Sequence, residues 1–419
     1  MFKIVLSLIL SLNIIFGSFI NVNAQENVSV MHKIYGEAYV VIDGETNEVI
    51  LGKNVNEKMY PASITKLITA ILLAENKKPN DTLLFTESAK QMPEYSINVN
   101  YYPMEVGQEL SADFVMKSIL IFSANDMAQV VADNISQMLN KSFEQLMNDK
   151  LKELGIKNTH FVNAVGLHDD EHYSTAYDLT ILLKEALKYD WIREVMGIKE
   201  TTVTLPNGSL IVYENSNKLL GTEGMIAGKT GYTSRAGRNL VGAFEFNGKI
   251  YIICVLKSVY DSEDTYVFKD MLNLMEVAKT KEKTILIPKG HDYSHYLDIK
   301  YKLFGFFGPE KVESVPIEFK EDIYIYDNDF NRENLKTEIT ANDNINIFTN
   351  GNKPVGKFKI TIGEYEKSYN VYANMKGIIF DNIFVYILVF VLLLLIISVL
   401  TFLILKIFRP KKNKRIWWK

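Results

Sequence analysis

The spacing of hydrophobic positions along the first two thirds of the chain alternates between a strand-like and a helical period. Residues 38–43 and 48–52 are apolar runs separated by the polar segment 44–47, which predicts a β-hairpin. From residue 63 to residue 75 the apolar positions recur at helical spacing instead. The same spacing predicts further helices over residues 111–122, 127–139, 143–154, 175–189 and 264–279.

Strand-like runs fill the part of the chain between residues 200 and 257. They are predicted over residues 201–205, 210–214, 239–246 and 249–257, and Asn247-Gly248 between the last two favours a tight hairpin. Helices in the middle with antiparallel strands at both ends predict an α+β domain over residues 25–280. Its antiparallel sheet is assembled from distant segments and flanked by helices.

The pattern changes again after residue 280. The runs become short and β-rich, at residues 317–326, 345–349, 358–363 and 368–373, and turn residues separate them. This pattern predicts a second, small β-rich domain over residues 281–375.

Both ends of the chain are typical of targeting and membrane segments. Residues 1–24 have one early lysine, an apolar stretch and small residues before a cleavage position after Ala24, which indicates a signal peptide, with an uncleaved anchor as the alternative. Residues 383–405 carry no charge and would span about 34 Å as a helix, enough to cross a membrane. The basic tail 406–419 places that end in the cytoplasm. Residues 25–380 are therefore expected outside the cytoplasmic membrane.

Composition excludes several classes of protein. The 419 residues are 47% hydrophobic, which rules out general disorder, and the net charge of −4 gives no basic field for nucleic acid. Cys254 is the only cysteine, so the chain has neither a disulfide framework nor a cysteine-based zinc site. It lies in an apolar strand and is expected to be a buried hydrophobe.

Three short motifs carry the candidate chemistry. Ser63 and Lys66 lie three apart at the start of a predicted helix, on one face, where a lysine of lowered pKa could take the serine proton. Ser123-Ala124-Asn125 lies between two predicted helices, and Lys229-Thr230-Gly231 begins a predicted edge strand. An isolated S-x-x-K is most often an exposed capping serine, but the three motifs together, 60 and 106 residues apart, make chance agreement unlikely.

In these motifs the chain resembles the penicilloyl-serine transferases, the group of penicillin-binding proteins and serine β-lactamases. It is most similar to the low-molecular-mass penicillin-binding proteins, the D-alanyl-D-alanine carboxypeptidases, over about residues 38–274. Further likenesses are N-A-V-G-L at 163–167 and S-T-A-Y-D-L at 174–179. The resemblance implies a β-lactamase/transpeptidase-like domain, and an extra β domain and C-terminal anchor are also common in these enzymes.

The resemblance also implies a role for each motif residue. Ser63 would attack the carbonyl of the penultimate D-Ala, Lys66 would accept its proton, and Ser123 would relay a proton to the leaving D-Ala. Asn125 would bind the substrate amide. The terminal carboxylate of the substrate would be bound by Lys229 and Thr230.

The same strand is implied to form the rest of the cleft. Gly231 would leave room for the substrate beside the strand, and the backbone N–H groups of Ser63 and Tyr232 would form the oxyanion hole. No metal or organic cofactor is expected. The implied partners are peptidoglycan stem peptides ending in D-Ala-D-Ala, and β-lactams that acylate Ser63.

Two other interpretations compete with this one. His168-Asp-Asp-Glu-His172 matches a zinc-peptidase pattern, but it lacks a helical apolar period and is better explained as an exposed acidic loop near the cleft. A class A β-lactamase would need a carboxylate in the segment 158–167, which has none.

The sequence therefore predicts a serine D-Ala-D-Ala carboxypeptidase held in a bacterial cell membrane by one C-terminal helix, with its catalytic domain on the extracytoplasmic side. A D,D-endopeptidase, a weak β-lactamase and a catalytically inactive wall-binding protein are the alternatives.

Overall fold

The computed structural model describes residues 33–343, 345–348 and 353–408. The predicted signal peptide and most of the predicted basic tail lie outside the described residues. The strands, in chain order, are β1 (Ala38–Asp43), β2 (Val49–Lys53), β3 (Thr82–Leu84), β4 (Glu109–Ser111), β5 (Glu200–Thr204), β6 (Leu210–Glu214), β7 (Met225–Thr233), β8 (Gly237–Phe246), β9 (Lys249–Ser258), β10 (Thr284–Ile287), β11 (Gly290–Lys302), β12 (Glu310–Phe319), β13 (Ile323–Ile325), β14 (Leu335–Ala341), β15 (Gly356–Ile362) and β16 (Tyr365–Ala373).

Helices fill most of the chain between β2 and β5. In chain order the helices are α1 (Lys66–Asn76), α2 (Glu87–Lys90), α3 (Ala112–Lys117), α4 (Asn125–Leu139), α5 (Phe143–Glu153), α6 (Ala176–Ala186), α7 (Asp190–Met196), α8 (Tyr266–Thr280), α9 (Asp329–Asn334), α10 (Met375–Asp381) and α11 (Ile383–Ile407). Ala62–Thr65 and Val99–Tyr101 are short 3₁₀ turns, and Ser118–Phe122 is a π-helical turn.

The main sheet pairs strands from both ends of the segment 38–258, as predicted. Its strand order is β2-β1-β9-β8-β7, and every neighbouring pair is antiparallel. The sheet is buried on both faces: Val40 and Ile42 belong to the core shared with α1, whereas Val41 packs with Met271 of α8. Both faces are covered, so these strands are almost continuously apolar.

Local predictions hold where a turn or cap decides the structure. Asn247 and Gly248 both have positive φ, of 52° and 74°, as a type I′ hairpin requires. Thr175 Oγ1 accepts from Asp178 N at 3.1 Å and begins α6 there. The helix predicted over 175–189 is wrong in length, because α6 ends at Ala186 and α7 follows. Cys254 is fully buried, as predicted.

The helix predicted over residues 111–122 is interrupted. It begins as α3 and loosens at Ser118 into the π-helical turn, which ends at Ser123 with φ 67°. Ile119, Leu120 and Ile121 are all buried, so their apolar character gives no sign of the change in backbone hydrogen bonding.

The region after α8 contains a second antiparallel sheet with the order β11-β12-β16-β15-β14 and a separate β10–β13 pair. The run predicted over 317–326 is wrong as one strand, because β12 ends at Phe319 and β13 begins at Ile323. The strand predicted over 345–349 is also wrong, since Ile345 makes only an isolated bridge to Tyr301.

The β-rich region after α8 contacts the main sheet at β2, the edge farthest from β7, and the helix α6 beside it. Asn331 Nδ2 donates to Val49 O of β2 at 2.8 Å, and Glu364 N donates to Tyr177 Oη at 2.8 Å. Lys283 forms an ion pair with the buried Glu48 at 2.6 Å. These contacts leave the opposite edge, strand β7, free for a ligand.

Candidate active site

Ser63 lies in a tight turn at the start of α1. Ala62 has a left-handed φ of 51°, and the 3₁₀ turn Ala62–Thr65 leads directly into α1. Gly166 lies against this turn: a Cβ at that position would be 1.9 Å from Ala62 O, so no other residue fits there. The segment 163–167 therefore packs against this turn and holds it in place.

Lys66 is fully buried directly behind Ser63. Its Nζ lies 2.8 Å from Ser63 Oγ and donates to Asn125 Oδ1 at 2.6 Å and to Val165 O at 3.0 Å. Burial lowers the pKa of Lys66 well below its usual value; the charge of Lys229 adds to this effect, whereas Asp126 opposes it.

A second serine–lysine pair lies across the cleft. The left-handed conformation of Ser123 turns its hydroxyl towards β7, where Lys229 Nζ donates to Ser123 Oγ at 2.8 Å. Lys229 is also buried, and burial, followed by the charge of Arg238, lowers its pKa to about 7. A bound carboxylate would raise this pKa again, because an opposite charge favours the ammonium form.

Asn125 begins α4 and is fixed through the residues beside it. Its backbone N–H donates to Ile97 O at 2.7 Å. The carboxylate of the next residue, Asp126, accepts from Val99 N and Asn100 N at 3.1 and 2.7 Å, and burial raises its pKa. These bonds hold the segment 97–100 as one wall of the cleft.

Strand β7 forms the opposite wall, with one edge unpaired. Thr230 Oγ1 lies 2.5 Å from Ser216 Oγ, and the Tyr232 side chain is 44% exposed at the mouth. A Cβ on Gly231 would be 2.7 Å from Pro61 O and 3.1 Å from Ser63 N. The strand therefore lies in direct contact with the turn of Ser63.

The walls enclose a cleft of about 530 Å³. It is lined by the predicted site residues Ser63, Ser123, Asn125, Thr230, Gly231 and Tyr232. Lys66 and Lys229 lie beneath it and reach it through the two serines. The structure thus brings together every residue that the motifs singled out.

The sequence missed other residues of the same cleft. Val165 O accepts from Lys66, Ser216 contacts Thr230, and Arg238 pairs with Asp264 at 2.6 Å on the cleft wall. Val165 falls inside the N-A-V-G-L resemblance, which was a usable signal. Ser216 and Arg238 had none, because single polar residues in strands and turns are common.

The segment 168–172 needs a correction. Asp169, Asp170 and Glu171 are exposed as predicted, but His172 is only 2% exposed and contacts Thr65, so it is not part of an exposed loop. Within the described ranges, no three His, Cys, Asp or Glu side chains are grouped so that they could hold a metal ion.

Solved structures with this fold are penicillin-binding proteins and DD-transpeptidases. Penicillin-binding protein D2 of Listeria monocytogenes, in its cefotaxime-bound form, is 28% identical with a TM-score of 0.52, covering 59% of this chain and 98% of that one. The Streptomyces K15 DD-transpeptidase shares the fold at a TM-score of 0.53 and 24% identity, over 59% of this chain and 98% of its own. The fold is thus that of the penicillin-binding proteins.

A family model described as D-alanyl-D-alanine carboxypeptidase matches residues 23–259, more than half of the chain, and the chain belongs to this family. D-alanyl-D-alanine carboxypeptidase DacF of Bacillus subtilis is 36% identical over 206 residues, 47% of this chain and 51% of the relative. The D-alanyl-D-alanine endopeptidase of Escherichia coli is 30% identical over 220 residues, 52% and 69% respectively. The match spans about half the length of the first of these relatives.

Proposed function

We propose that the protein is a serine D-Ala-D-Ala carboxypeptidase that removes the terminal D-alanine from peptidoglycan stem peptides through an acyl-enzyme on Ser63. One observation carries the proposal: the three contacts of Lys66 Nζ. Two of them, Asn125 Oδ1 and Val165 O, are pure acceptors. A neutral amine has two hydrogens for these acceptors, and its lone pair then faces the Ser63 hydroxyl 2.8 Å away.

In this geometry a general base is in place before substrate arrives. Ser63 Oγ attacks the carbonyl carbon of the penultimate D-Ala as its proton passes to Lys66. The negative charge that develops on the carbonyl oxygen is met by the backbone N–H groups of Ser63 and Tyr232, each contributing about 3–4 kcal/mol by analogy with other oxyanion holes.

The remaining groups of the cleft complete the reaction. Lys229 and Thr230 bind the terminal carboxylate, Asn125 binds the substrate amide, and Ser123 passes a proton to the nitrogen of the leaving D-Ala. The C–N bond breaks and water then hydrolyses the ester on Ser63. A β-lactam would acylate Ser63 in the same way and leave slowly.

The proposal extends to the arrangement of the whole chain. Residues 25–280 carry the chemistry, residues 281–375 form the β-rich domain, and α11 anchors both in the cell membrane with the cleft on the extracytoplasmic side. In the part of the chain that the structure describes, α11 is the one helix long and apolar enough to cross a membrane. The Lys- and Arg-rich residues 406–419 support a cytoplasmic C-terminus.

A D,D-endopeptidase is the second candidate function. A larger hollow of about 930 Å³ adjoins the cleft, and the two share the lining residues Ser96, Ile97 and Phe122. Such a hollow would have room for the second stem peptide of a cross-link, whereas a free D-alanine has no need of it.

The test is labelling of residues 25–380 with a fluorescent penicillin, beside Ser63→Ala and the exposed-serine control Ser209→Ala. We expect labelling of the wild type and of the control but not of Ser63→Ala. D-alanine release from a D-Ala-D-Ala pentapeptide, compared with cleavage of a cross-linked dimer, then separates the two activities. A folded wild type that neither binds nor hydrolyses penicillin would overturn the proposal.

A further inference from the structure

A cluster of aromatic side chains lies beside the first turn of α11, on the side of the β-rich region. The turn between β11 and β12 carries Phe304, Phe306 and Phe307, and Phe348 comes from the segment before β15. The Phe304 and Phe348 rings lie 6.0 and 5.6 Å from the ring of Tyr386. We name these five residues, Phe304, Phe306, Phe307, Phe348 and Tyr386, the aromatic collar.

The outer rings of the collar are exposed, although the turn that carries Phe306 and Phe307 is held by backbone hydrogen bonds. Phe306 is 80% exposed, Phe307 57% and Phe348 49%. The turn nevertheless satisfies its backbone: Phe304 N donates to Phe307 O at 3.1 Å, and Leu303 N donates to Pro309 O at 3.1 Å. A group of large apolar rings exposed on a hydrogen-bonded turn marks an interaction surface.

Hydrogen bonds fix the collar at one height along α11. Tyr386 Oη donates to Leu303 O at 3.0 Å. One residue before the helix, Asn382 Nδ2 donates to Tyr301 Oη at 3.0 Å, and Lys311 Nζ donates to Asn382 Oδ1 at 2.5 Å. The helix therefore leaves the β-rich sheet without a free linker, and the collar cannot move up or down relative to it.

This height coincides with the boundary of a bilayer. The 25 residues of α11 span about 37 Å, whereas a hydrocarbon core is about 30 Å thick, so about 3–4 Å remain at each end. Tyr386 is the fourth residue of the helix and thus lies about 4.5 Å from its start. Tyr is enriched at this level, between headgroups and acyl chains, and Phe on the apolar face of interfacial segments is buried at the same boundary.

We propose that the aromatic collar is a second membrane contact, inserted in the interfacial layer of the extracytoplasmic leaflet. This contact holds the catalytic domain in one orientation relative to the bilayer. The inference rests on the proposed anchoring of α11. The committed partner is lipid, because the collar is continuous with the lipid-facing surface of α11 and a protein partner would have to bind inside the headgroup layer.

The first test measures the depth of Phe306 in vesicles of phosphatidylcholine and phosphatidylglycerol (three to one), using the full chain. Cys254 is fully buried, so a polarity-sensitive dye will label Phe306→Cys selectively. Tyr296→Cys is the matched control: an exposed aromatic position on β11, about 20 Å from the end of that strand. We expect a blue shift and at least twofold quenching by nitroxide lipids at position 306, and neither at position 296.

The outcomes separate the two proposals. Protein that does not float with the vesicles overturns the anchoring of α11 and the collar with it. Protein that floats while the dye at position 306 stays in water overturns the collar alone. A blue shift without lipid quenching also overturns it, since a protein partner or a second copy would then cover the rings.

The second test measures the orientation of the catalytic domain relative to the bilayer. Fluorescent penicillin on Ser63 serves as donor to an acceptor lipid in the same vesicles, for the wild type, Phe306→Ser/Phe307→Ser and the control Tyr296→Ser. We expect a narrow donor-lifetime distribution in the wild type and the control and a broadened one in the double variant. An unchanged distribution in the double variant would show that the collar does not fix the orientation of the catalytic domain.

Discussion

His172 Nε2 lies 2.8 Å from Thr65 Oγ1, so a buried imidazole braces the turn that carries Ser63. Val162 N donates to His172 Nδ1 at 3.1 Å, which makes Nδ1 the unprotonated nitrogen and Nε2–H the donor to Thr65. The Thr65 hydroxyl donates in turn to Ala62 O at 2.9 Å. This chain of bonds requires a neutral histidine.

The first prediction is that His172 makes stability depend on pH. Burial lowers its pKa to about 4; Asp169 opposes this, and His160 and His168 add to it. In the unfolded chain the pKa of this histidine is about 6.5. The contribution of neutral His172 to the free energy of unfolding is therefore complete above pH 6.5. It is lost as the pH falls towards 4, by about 3 kcal/mol in total.

Urea unfolding of residues 25–380 between pH 7 and pH 4 checks this, followed by the fluorescence of Trp191, the one tryptophan in that segment. We expect the stability of the wild type minus that of His172→Gln to decrease by about 3 kcal/mol over this range. A difference that stays constant with pH would contradict the prediction.

His172 also illustrates what the sequence could not reveal. Its neighbours are acidic and exposed, and nothing local distinguishes a histidine that turns inward beneath Thr65. The left-handed Ser123 is similar, since the π-helical turn before it is built from ordinary apolar residues. The motif residues could be placed from the sequence because they lie at helix starts and on an edge strand, where the local pattern fixes the position of the side chain; their catalytic roles stay a prediction.

Strand β11 was not predicted either, although, in contrast to His172 and Ser123, its signal was present in the sequence. Leu297, Ile299 and Tyr301 alternate with polar residues and are all buried on one face. The alternation is that of a half-buried strand. Asp298 and Lys300 occupy the exposed positions of the same alternation, so this strand was predictable from the sequence. The general class, α+β with a β-rich addition, depended on longer segments and was predictable.

The second prediction concerns the charge state of Lys66. If Lys66 acts as a base, Lys66→Arg will be as inactive as Lys66→Ala, because arginine stays protonated; both should acylate with penicillin about 10²–10⁴-fold more slowly. Lys150→Arg is the matched control, a buried lysine paired with Glu75 at 2.6 Å outside the cleft, and should acylate normally. Substantial activity in Lys66→Arg would mean that a positive charge, rather than a base, is needed.

The third prediction places a carboxylate beside the same amine. Asn125→Asp would replace the amide oxygen 2.6 Å from Lys66 Nζ with a negative charge, which raises the pKa of Lys66. We expect slower acylation at pH 7 and a rate that recovers as the pH rises, because more base is then deprotonated. Asn125→Ala should lose rate without moving the profile to higher pH, and an aspartate variant with the wild-type profile would contradict the coupling.

The fourth prediction tests the contact between β7 and the turn of Ser63. In Gly231→Ala the new Cβ would be 2.7 Å from Pro61 O and 3.1 Å from Ser63 N, both backbone atoms that cannot turn away. The strand must shift, which displaces the Tyr232 N–H from its proposed place in the oxyanion hole, and we expect acylation to slow by at least about 10²-fold.

Gly242→Ala on the neighbouring strand β8 is the control for this variant. Its Cβ would meet Met225 Cε at 2.8 Å, the flexible end of a side chain that can move, so acylation should stay close to that of the wild type. The second-order rate constant for fluorescent penicillin compares the two variants directly. Equal rates would mean that β7 can shift without disturbing the proposed oxyanion hole. The tight packing of Gly231 against the turn of Ser63 would then have no catalytic consequence.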